Sequence, residues 1–140
     1  MLDDPLAKFL DVMGCNEYIG WYDGAPDKAD RTSVQNTFDK PLVMSEFGAE
    51  APAGSHGDED TAWTEEYQAN VYRHQLGMLQ RIPFLQGMAA WILMDFRCPR
   101  RFLSGVQDYY NRKGLLSDRG EKKQAYYVLR DFYRSPAAAK

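Results

Sequence analysis

The stretch that decides the fold is KPLVMSEFGAE, residues 40–50. Pro41 cannot continue a helix, and the residues after it alternate, with Leu42, Met44 and Glu46 on one face of an extended segment. A glycine turn follows at Gly48. The stretch predicts a strand over residues 42–47 with a carboxylate at its carboxyl end. In proteins built from parallel strands, the catalytic and binding residues lie at the carboxyl ends of the strands. A glutamate at such a position is more often a solvated or salt-bridged side chain.

Outward from this strand, the chain repeats a pattern of strand followed by helix three times. The pattern predicts strands over residues 11–18, 42–47 and 85–96. A short polar helix is expected after the first strand, ending near residues 38–40. A long helix is expected from Asp60 or Thr61 to Pro83, and a closing helix over residues 121–133. The third strand is almost wholly apolar, which is typical of a parallel strand covered on both faces.

This alternation predicts an α/β fold with parallel strands in one unit, residues 1–140. A closed eight-stranded barrel needs about 250 residues and at least about 200. A small doubly wound domain would fit the length, but it usually has more strands than the pattern provides. We therefore expect a partial (β/α)8 TIM barrel. If the face of Leu42 and Met44 lines the barrel interior, Glu46 points into its mouth.

Composition bounds the function. The net charge of −3 provides no basic surface for nucleic acid, and no apolar run is long enough for a membrane span or a signal peptide. Cys15 and Cys98 match no metal-ligand spacing, and they leave a reduced pair and one disulfide equally open, with a cytoplasmic location slightly favoured over a periplasmic or secreted one. No cofactor is predicted. Aromatic residues reach 14%, which suits the binding of sugar rings.

Five segments, in this order, resemble the family 2 glycoside hydrolases, the β-galactosidase/β-glucuronidase group. Residues 11–22 (DVMGCNEYIGWY) resemble the sixth barrel strand of that family, residues 45–49 (SEFGA) the seventh, and residues 91–97 (WILMDFR) the eighth. Residues 111–116 (NRKGLL) and 122–127 (KKQAYY) resemble its last loop and final helix. The resemblance implies that the chain is the C-terminal segment of such a barrel, with strands 6–8.

The resemblance also implies a retaining glycosidase, in which one carboxylate attacks the anomeric carbon and a second protonates the leaving oxygen. Glu46 matches the nucleophile. The family's acid/base is the glutamate of an Asn-Glu pair that ends the fourth strand, and Asn16-Glu17 invites this assignment. The spacing argues against it, because one strand-helix-strand unit takes roughly 30 residues and separates neighbouring strands. The acid/base is therefore expected to be missing, and the isolated chain to be nearly inactive.

Three aromatic residues and an asparagine are expected near the sugar. Trp91 matches the tryptophan that floors the sugar subsite in the family, although an apolar strand also buries tryptophan in its core. Asn16, Tyr18 and Tyr22 are candidates to hydrogen-bond sugar hydroxyls, while Tyr22 has the alternative of packing under a turn.

Asn111 and Lys113 form an Asn-x-Lys pattern that, in the β-glucuronidase members of the family, grips the carboxylate of the sugar. This pattern predicts a β-glucuronide as substrate. The alternatives are a β-galactoside, and a lysine in a loop that is simply solvated.

Two other classes of function stay open. The first is a non-catalytic carbohydrate-binding module, whose sugar affinity would survive Glu46→Gln. The second is a self-associating fragment, because the open edges of a partial sheet can pair with the missing half of the barrel or with another copy of the chain.

Overall fold

A computed structural model describes residues 2–135. Three strands form a parallel sheet in the order β1-β2-β3, and they are β1 (Met13–Asn16), β2 (Leu42–Glu46) and β3 (Leu85–Met88). A two-residue antiparallel pair lies outside this sheet, formed by β4 (Phe96–Arg97) and β5 (Tyr110–Asn111). The helices are a short 3₁₀ helix (Pro5–Phe9), α1 (Lys28–Arg31), α2 (Glu65–Gln80) and α3 (Gln124–Arg134). The predicted α/β class with parallel strands is confirmed.

The core lies between the sheet and the helices. Leu42 and Met44 of β2 are buried in one cluster with Leu76, Met78 and Leu79 of α2. The other face of β2, which carries Val43 and Ser45, is less buried. Leu42 and Met44 therefore lie on the buried face of β2, in the cluster to which α2 contributes, and not on a face that is open to solvent.

An irregularity in the β1–β2 pairing changes the direction of Glu46. Cys15 pairs with Met44, but Asn16 pairs with Glu46, so Ser45 is an extra residue on β2. The Ser45 hydroxyl donates to the Cys15 carbonyl at 3.0 Å and to Asn16 Oδ1 at 2.8 Å, which occupies this gap. Such bulges re-aim the side chains that follow them. Glu46 is consequently half-buried, although strict alternation would place it on the buried face of Met44.

The two long helices are present with shifted starts. The Thr64 side chain accepts a hydrogen bond from the Tyr67 amide at 3.0 Å, so α2 begins after Thr64 rather than after Asp60 or Thr61. The helix ends at Gln80, before Pro83, as expected. The closing helix begins at Gln124 rather than residue 121, and it buries Ala125 and Leu129.

Three other element predictions were too long, and the first of them is β1, which spans Met13–Asn16 rather than residues 11–18. The helix after β1 ends at Arg31, so the expected helix up to residues 38–40 is wrong. The third strand ends at Met88, and Leu93 and Met94 are 61% and 41% exposed. Residues 92–95 pair instead with the segment 113–116, as the hydrogen bond from the Leu115 amide to the Ile92 carbonyl at 2.9 Å illustrates. Periodicity could not show that this distant segment competes with β2 for the same backbone groups.

The outer strands of the parallel sheet are β1 and β3, and within residues 2–135 no further strand pairs with their free edges. Cys15 and Cys98 are both free thiols. None of the helices in the described part of the chain combines the length and the apolar character needed to cross a membrane.

Candidate active site

Glu46 lies at the carboxyl end of β2 and is held by the loop that follows β1. The Tyr18 hydroxyl donates to Glu46 Oε2 at 2.8 Å, and the Glu17 amide donates to the Glu46 carbonyl at 2.9 Å. Burial, together with this bond to the carboxylate, raises the pKa of Tyr18, so Tyr18 stays a neutral donor. Within residues 2–135 no lysine, arginine or histidine forms an ion pair with Glu46.

Asn16 of β1 and Trp91, which follows β3, lie beside the backbone at Glu46 and Phe47. Asn16 is exposed and lies opposite Glu46 in the register of β1 and β2. The Trp91 amide donates to the Phe47 carbonyl at 2.9 Å, so Trp91 lies beside the residue that follows Glu46. Its half-buried ring packs edge-on against Phe96, with 6.3 Å between the centroids. Trp91 is thus not a fully buried core residue.

Gly48 allows the turn after Glu46 to approach its surroundings closely. Its φ of 134° lies in a region that side chains rarely adopt, and a Cβ added there would lie 2.6 Å from the Tyr72 hydroxyl and 3.2 Å from the Trp91 carbonyl. The glycine therefore lets the Glu46 turn lie directly against Trp91.

Lys113 connects this site to a buried carboxylate. Its ammonium donates to the Tyr22 hydroxyl and to Glu50 Oε1, both at 2.7 Å. It also lies 4.7 Å from the ring centroid of Tyr22 and 5.5 Å from that of Tyr18. The Lys113 side chain is 1% exposed, so the alternative of a solvated loop lysine is wrong.

Tyr22 is the exposed residue that contacts the cations of this network. The residue is 62% exposed, so it does not pack under a turn, and its ring lies 5.3 Å from that of Tyr18. Arg101 donates to its hydroxyl at 3.2 Å beside the bond from Lys113. Burial alone would raise the pKa of Tyr22, but the two cationic donors outweigh it and hold the pKa below its ordinary value.

Asn111 supports Lys113 rather than facing outward. It is 5% exposed, and its Oδ1 accepts a hydrogen bond from the Lys113 amide at 3.0 Å. This contact shapes the turn from which the Lys113 side chain leaves the backbone.

Sequence reasoning missed Glu50, which is the centre of this network and is 0% exposed. Besides Lys113, it accepts bonds from the Arg101 guanidinium, from Gln107 Nε2 at 3.0 Å and from the Arg112 amide at 3.3 Å. Its neighbours Ala49 and Ala51 are fully buried, so a charged residue between two small apolar ones was the available signal.

The arrangement suits a carboxylate nucleophile next to a polar or anionic group of a substrate. Glu46 is accessible and held by a neutral donor, and an exposed tyrosine backed by two cations lies one aromatic ring away. Glu17 lies next to Tyr18 in the same loop, and its Oε1 accepts a hydrogen bond from the Tyr18 amide at 2.7 Å. No cluster of three or more metal-ligating side chains occurs in the part of the chain that the structure describes.

The chain is similar in sequence to β-glucuronidases. No family model matches the chain. It is 31% identical over 133 residues to a β-glucuronidase of Paenibacillus borealis and 32% identical over 143 residues to the β-glucuronidase of Homo sapiens. These alignments cover 89% and 93% of this chain, but 22% and 21% of the two relatives, so the chain spans about a fifth of the length of the curated relatives it matches.

Solved structures are similar in the same way. The crystal structure of a GH2 β-galacturonidase from Eisenbergiella tayi superposes with a TM-score of 0.78 at 27% identity, and the match covers 91% of this chain and 24% of that chain.

Proposed function

The chain is related, over 89% of its length, to the β-glucuronidases of glycoside hydrolase family 2, and from this premise we propose that it carries the nucleophile half of a retaining glycosidase site, with Glu46 as the nucleophile. The observation that carries the proposal is the placement of Glu46. It ends a parallel strand, is re-aimed by the bulge at Ser45 and is oriented by the Tyr18 hydroxyl at 2.8 Å.

In the proposed reaction, a Glu46 carboxylate oxygen attacks the anomeric carbon of the sugar. The bond between that carbon and the leaving oxygen breaks, and the leaving oxygen takes a proton from a second carboxylic acid. A glycosyl ester of Glu46 forms, and water, deprotonated by the same second group, then hydrolyses the ester with release of the sugar. Tyr18 would hold the attacking carboxylate in place by its bond to Oε2.

We propose a glycoside of a uronic acid as the substrate, with the β-glucuronide favoured over the β-galactoside. The support is the cationic environment of Tyr22. Its hydroxyl accepts from Lys113 and Arg101, so its own proton is left to donate, and a sugar carboxylate would meet a donor backed by two positive charges. Lys113 is too deeply buried to be the outermost contact, and Asn111 would act by placing Lys113. Asn16 and Trp91 lie beside the backbone at Glu46 and Phe47 and would contact the sugar ring.

The second carboxylic acid lies outside the group we assign. Glu17 follows β1, the strand next to that of Glu46, and its carboxylate accepts a hydrogen bond from the Tyr18 amide. Since general acid help contributes about 10²–10⁴-fold, we propose that this 140-residue chain alone turns over glycosides poorly. In this view residues 1–140 correspond to about the last three βα units of a (β/α)8 barrel, and the free edges of β1 and β3 would pair with the rest of such a barrel or with another copy of the chain.

A non-catalytic carbohydrate-binding module is the second candidate. The aromatic and cationic groups near Glu46 lie within this chain, whereas we assign no second carboxylate in it, and this combination would favour binding over turnover. In such a module, the affinity for the sugar would survive Glu46→Gln.

Covalent labelling tests the proposal. We would incubate the chain with 2-deoxy-2-fluoro glucuronyl, galactosyl and glucosyl dinitrophenolates, whose leaving groups need little acid help, and measure the intact mass. We expect a glycosyl-sized gain with the glucuronyl donor, its loss in Glu46→Gln and its persistence in the matched variant Glu17→Gln.

Two results would contradict the proposal. A gain that persists in Glu46→Gln would remove Glu46 from the role of nucleophile. No gain with any of the three donors would show that this chain does not assemble the nucleophile site by itself.

A further inference from the structure

A second concavity, the aromatic pocket, lies beside the proposed reaction site. It has a volume of about 370 Å³ and forms where the loop after β1, the start of α2 and the segment 101–107 meet. Neither Glu46 nor Trp91 lines it. Its principal lining side chains are four aromatic and two polar ones: Trp21, Tyr22, Trp63, Tyr67, Arg101 and Gln107.

The aromatic walls are held in place. The rings of Trp21 and Trp63 are nearly perpendicular, with 4.7 Å between their centroids and 86° between their planes. The Tyr67 hydroxyl donates to the Gly20 carbonyl at 2.6 Å, which ties α2 to the loop after β1. Trp21, Trp63 and Tyr67 are only half-buried, so parts of their rings face the pocket. Such faces suit the C–H face of a pyranose ring, and the volume is of the size that small-ligand sites have.

Arg101 is the charged lining side chain that a ligand can reach. Glu50 borders the pocket, but it is fully buried and already accepts bonds from four donors, so it is not open to a ligand. Arg101 is 28% exposed and Lys113 lies behind it on the same carboxylate, so two cations oppose one anion. A ligand with a carboxylate on its ring therefore fits this lining better than a neutral one.

Tyr22 joins the pocket to the reaction site. Its ring lines the pocket and lies 5.3 Å from that of Tyr18, whose hydroxyl bonds to Glu46. We propose that the aromatic pocket is a second saccharide subsite, which takes an acidic sugar ring next to the ring held at Glu46. The link to a substrate rests on the proposed function, whereas binding in the pocket does not require Glu46. The preferred ligand is thus an acidic oligosaccharide rather than a small conjugate of one sugar.

The tryptophans permit a selective readout. The chain has three, and Trp91 alone lies outside the pocket, so in Trp91→Phe the indole fluorescence reports the pocket. We would titrate this variant with digalacturonic acid, galacturonic acid and cellobiose. Digalacturonic acid should change the emission and bind about tenfold more tightly than galacturonic acid or cellobiose.

Matched variants identify the subsite. Trp63 has a φ of 70°, which glycine adopts readily, so Trp63→Gly removes the ring without opposing the backbone. These variants are titrated by NMR in the chain with Trp91 intact. Trp63→Gly should abolish the higher affinity for digalacturonic acid than for galacturonic acid. Arg101→Gln should abolish the higher affinity for digalacturonic acid than for cellobiose. Phe102→Ala, at a neighbouring residue that is 73% exposed and outside the pocket, should retain both.

Three outcomes would overturn the proposal. The first is equal affinity for galacturonic acid and digalacturonic acid. The second is that folded Trp63→Gly keeps the higher affinity for digalacturonic acid. The third is a Trp63-dependent gain for 4-nitrophenyl glucuronide but not for digalacturonic acid, which would make the pocket a site for an aromatic leaving group. Failure of the proposed function is separate, since loss of covalent labelling at Glu46 leaves the titrations unaffected.

Discussion

Two lysine–carboxylate pairs are buried in this chain, and their surroundings differ. Lys123 donates to Asp95 at 2.8 Å and to the carbonyls of Ala51 and Arg112 at 2.6 and 3.0 Å, so its donors are used within the protein. Lys113 donates to Glu50 and to the hydroxyl of the exposed Tyr22. The same residue types therefore form a closed brace in one region and a link to the surface in the other.

The two lysine–carboxylate pairs differ in the further group that each pair contacts. Asp95 also accepts a hydrogen bond from the Gly114 amide at 2.8 Å and lies 3.5 Å from the Arg112 guanidinium, so its partners, too, belong to the protein. Burial raises the pKa of Asp95 against the effect of Lys123. At the Lys113–Glu50 pair, the further group is the hydroxyl of the exposed Tyr22, which can donate its proton to a ligand. Buried charge alone thus does not indicate a functional site.

The largest expected effect is on the closed brace. Lys123→Met leaves the buried Asp95 with only the longer contact from the Arg112 guanidinium, at 3.5 Å, and leaves two carbonyls without their donor, so we expect the free energy of unfolding to fall by about 3–5 kcal/mol. Urea denaturation measures it. The exposed neighbour in Lys122→Met should cost at most about 1 kcal/mol. Equal losses in the two variants would contradict the assignment of Lys123 as a brace.

A smaller loss of stability is expected at the second pair. In Lys113→Met, Glu50 keeps the Arg101 guanidinium, Gln107 and the Arg112 amide, so we expect a loss of about 2–3 kcal/mol. Glu50→Gln, made alone and together with Lys113→Met, completes a double-mutant cycle, and it should cost less stability when Lys113 is already absent, because one of the two cations that Glu50 pairs with is then gone. Equal losses from Glu50→Gln in the two backgrounds would show that the Lys113–Glu50 pair contributes no coupling energy.

The smallest effect concerns Tyr22. Because its pKa is below the ordinary value of about 10, its ionisation adds stability above that value, and this contribution is lost as the pH falls through the lower folded pKa. Alkaline titration followed by tyrosinate absorbance should show an early component that Tyr22→Phe removes. Lys113→Met should move this component to higher pH, whereas Lys122→Met should not. An early component that persists in Tyr22→Phe would belong to another tyrosine.

Prediction from the sequence was strongest where a short pattern carries the information. The alternation around Leu42 identified β2 and placed Glu46 at its end, and α2 was expected within a few residues of its bounds. The segment 89–96 was predicted as a buried strand, because its apolar run is indistinguishable from one. In the structure Ala89 and Trp91 still bond to residues 44 and 47, but residues 92–95 bond to residues 113–116, which lie about twenty positions further along the chain.

The contacts of the candidate site were beyond the reach of such patterns. Glu50 and Lys113 are separated by 63 positions, and Tyr22 and Lys113 by 91. Which of several lysines meets which carboxylate depends on how the loops after three strands come together, and no local period records this.

The sequence by itself determined the parallel α/β class, the central strand, the carboxylate at its end and the similarity to β-glucuronidases. Hydrophobic periodicity carries this information because burial acts on neighbouring residues of one element. Only the tertiary structure decided that Glu46 leaves the buried face through a bulge and that Lys113 meets Tyr22. It also formed the aromatic pocket, because ion pairs and pockets arise between residues that packing, and not sequence proximity, brings together.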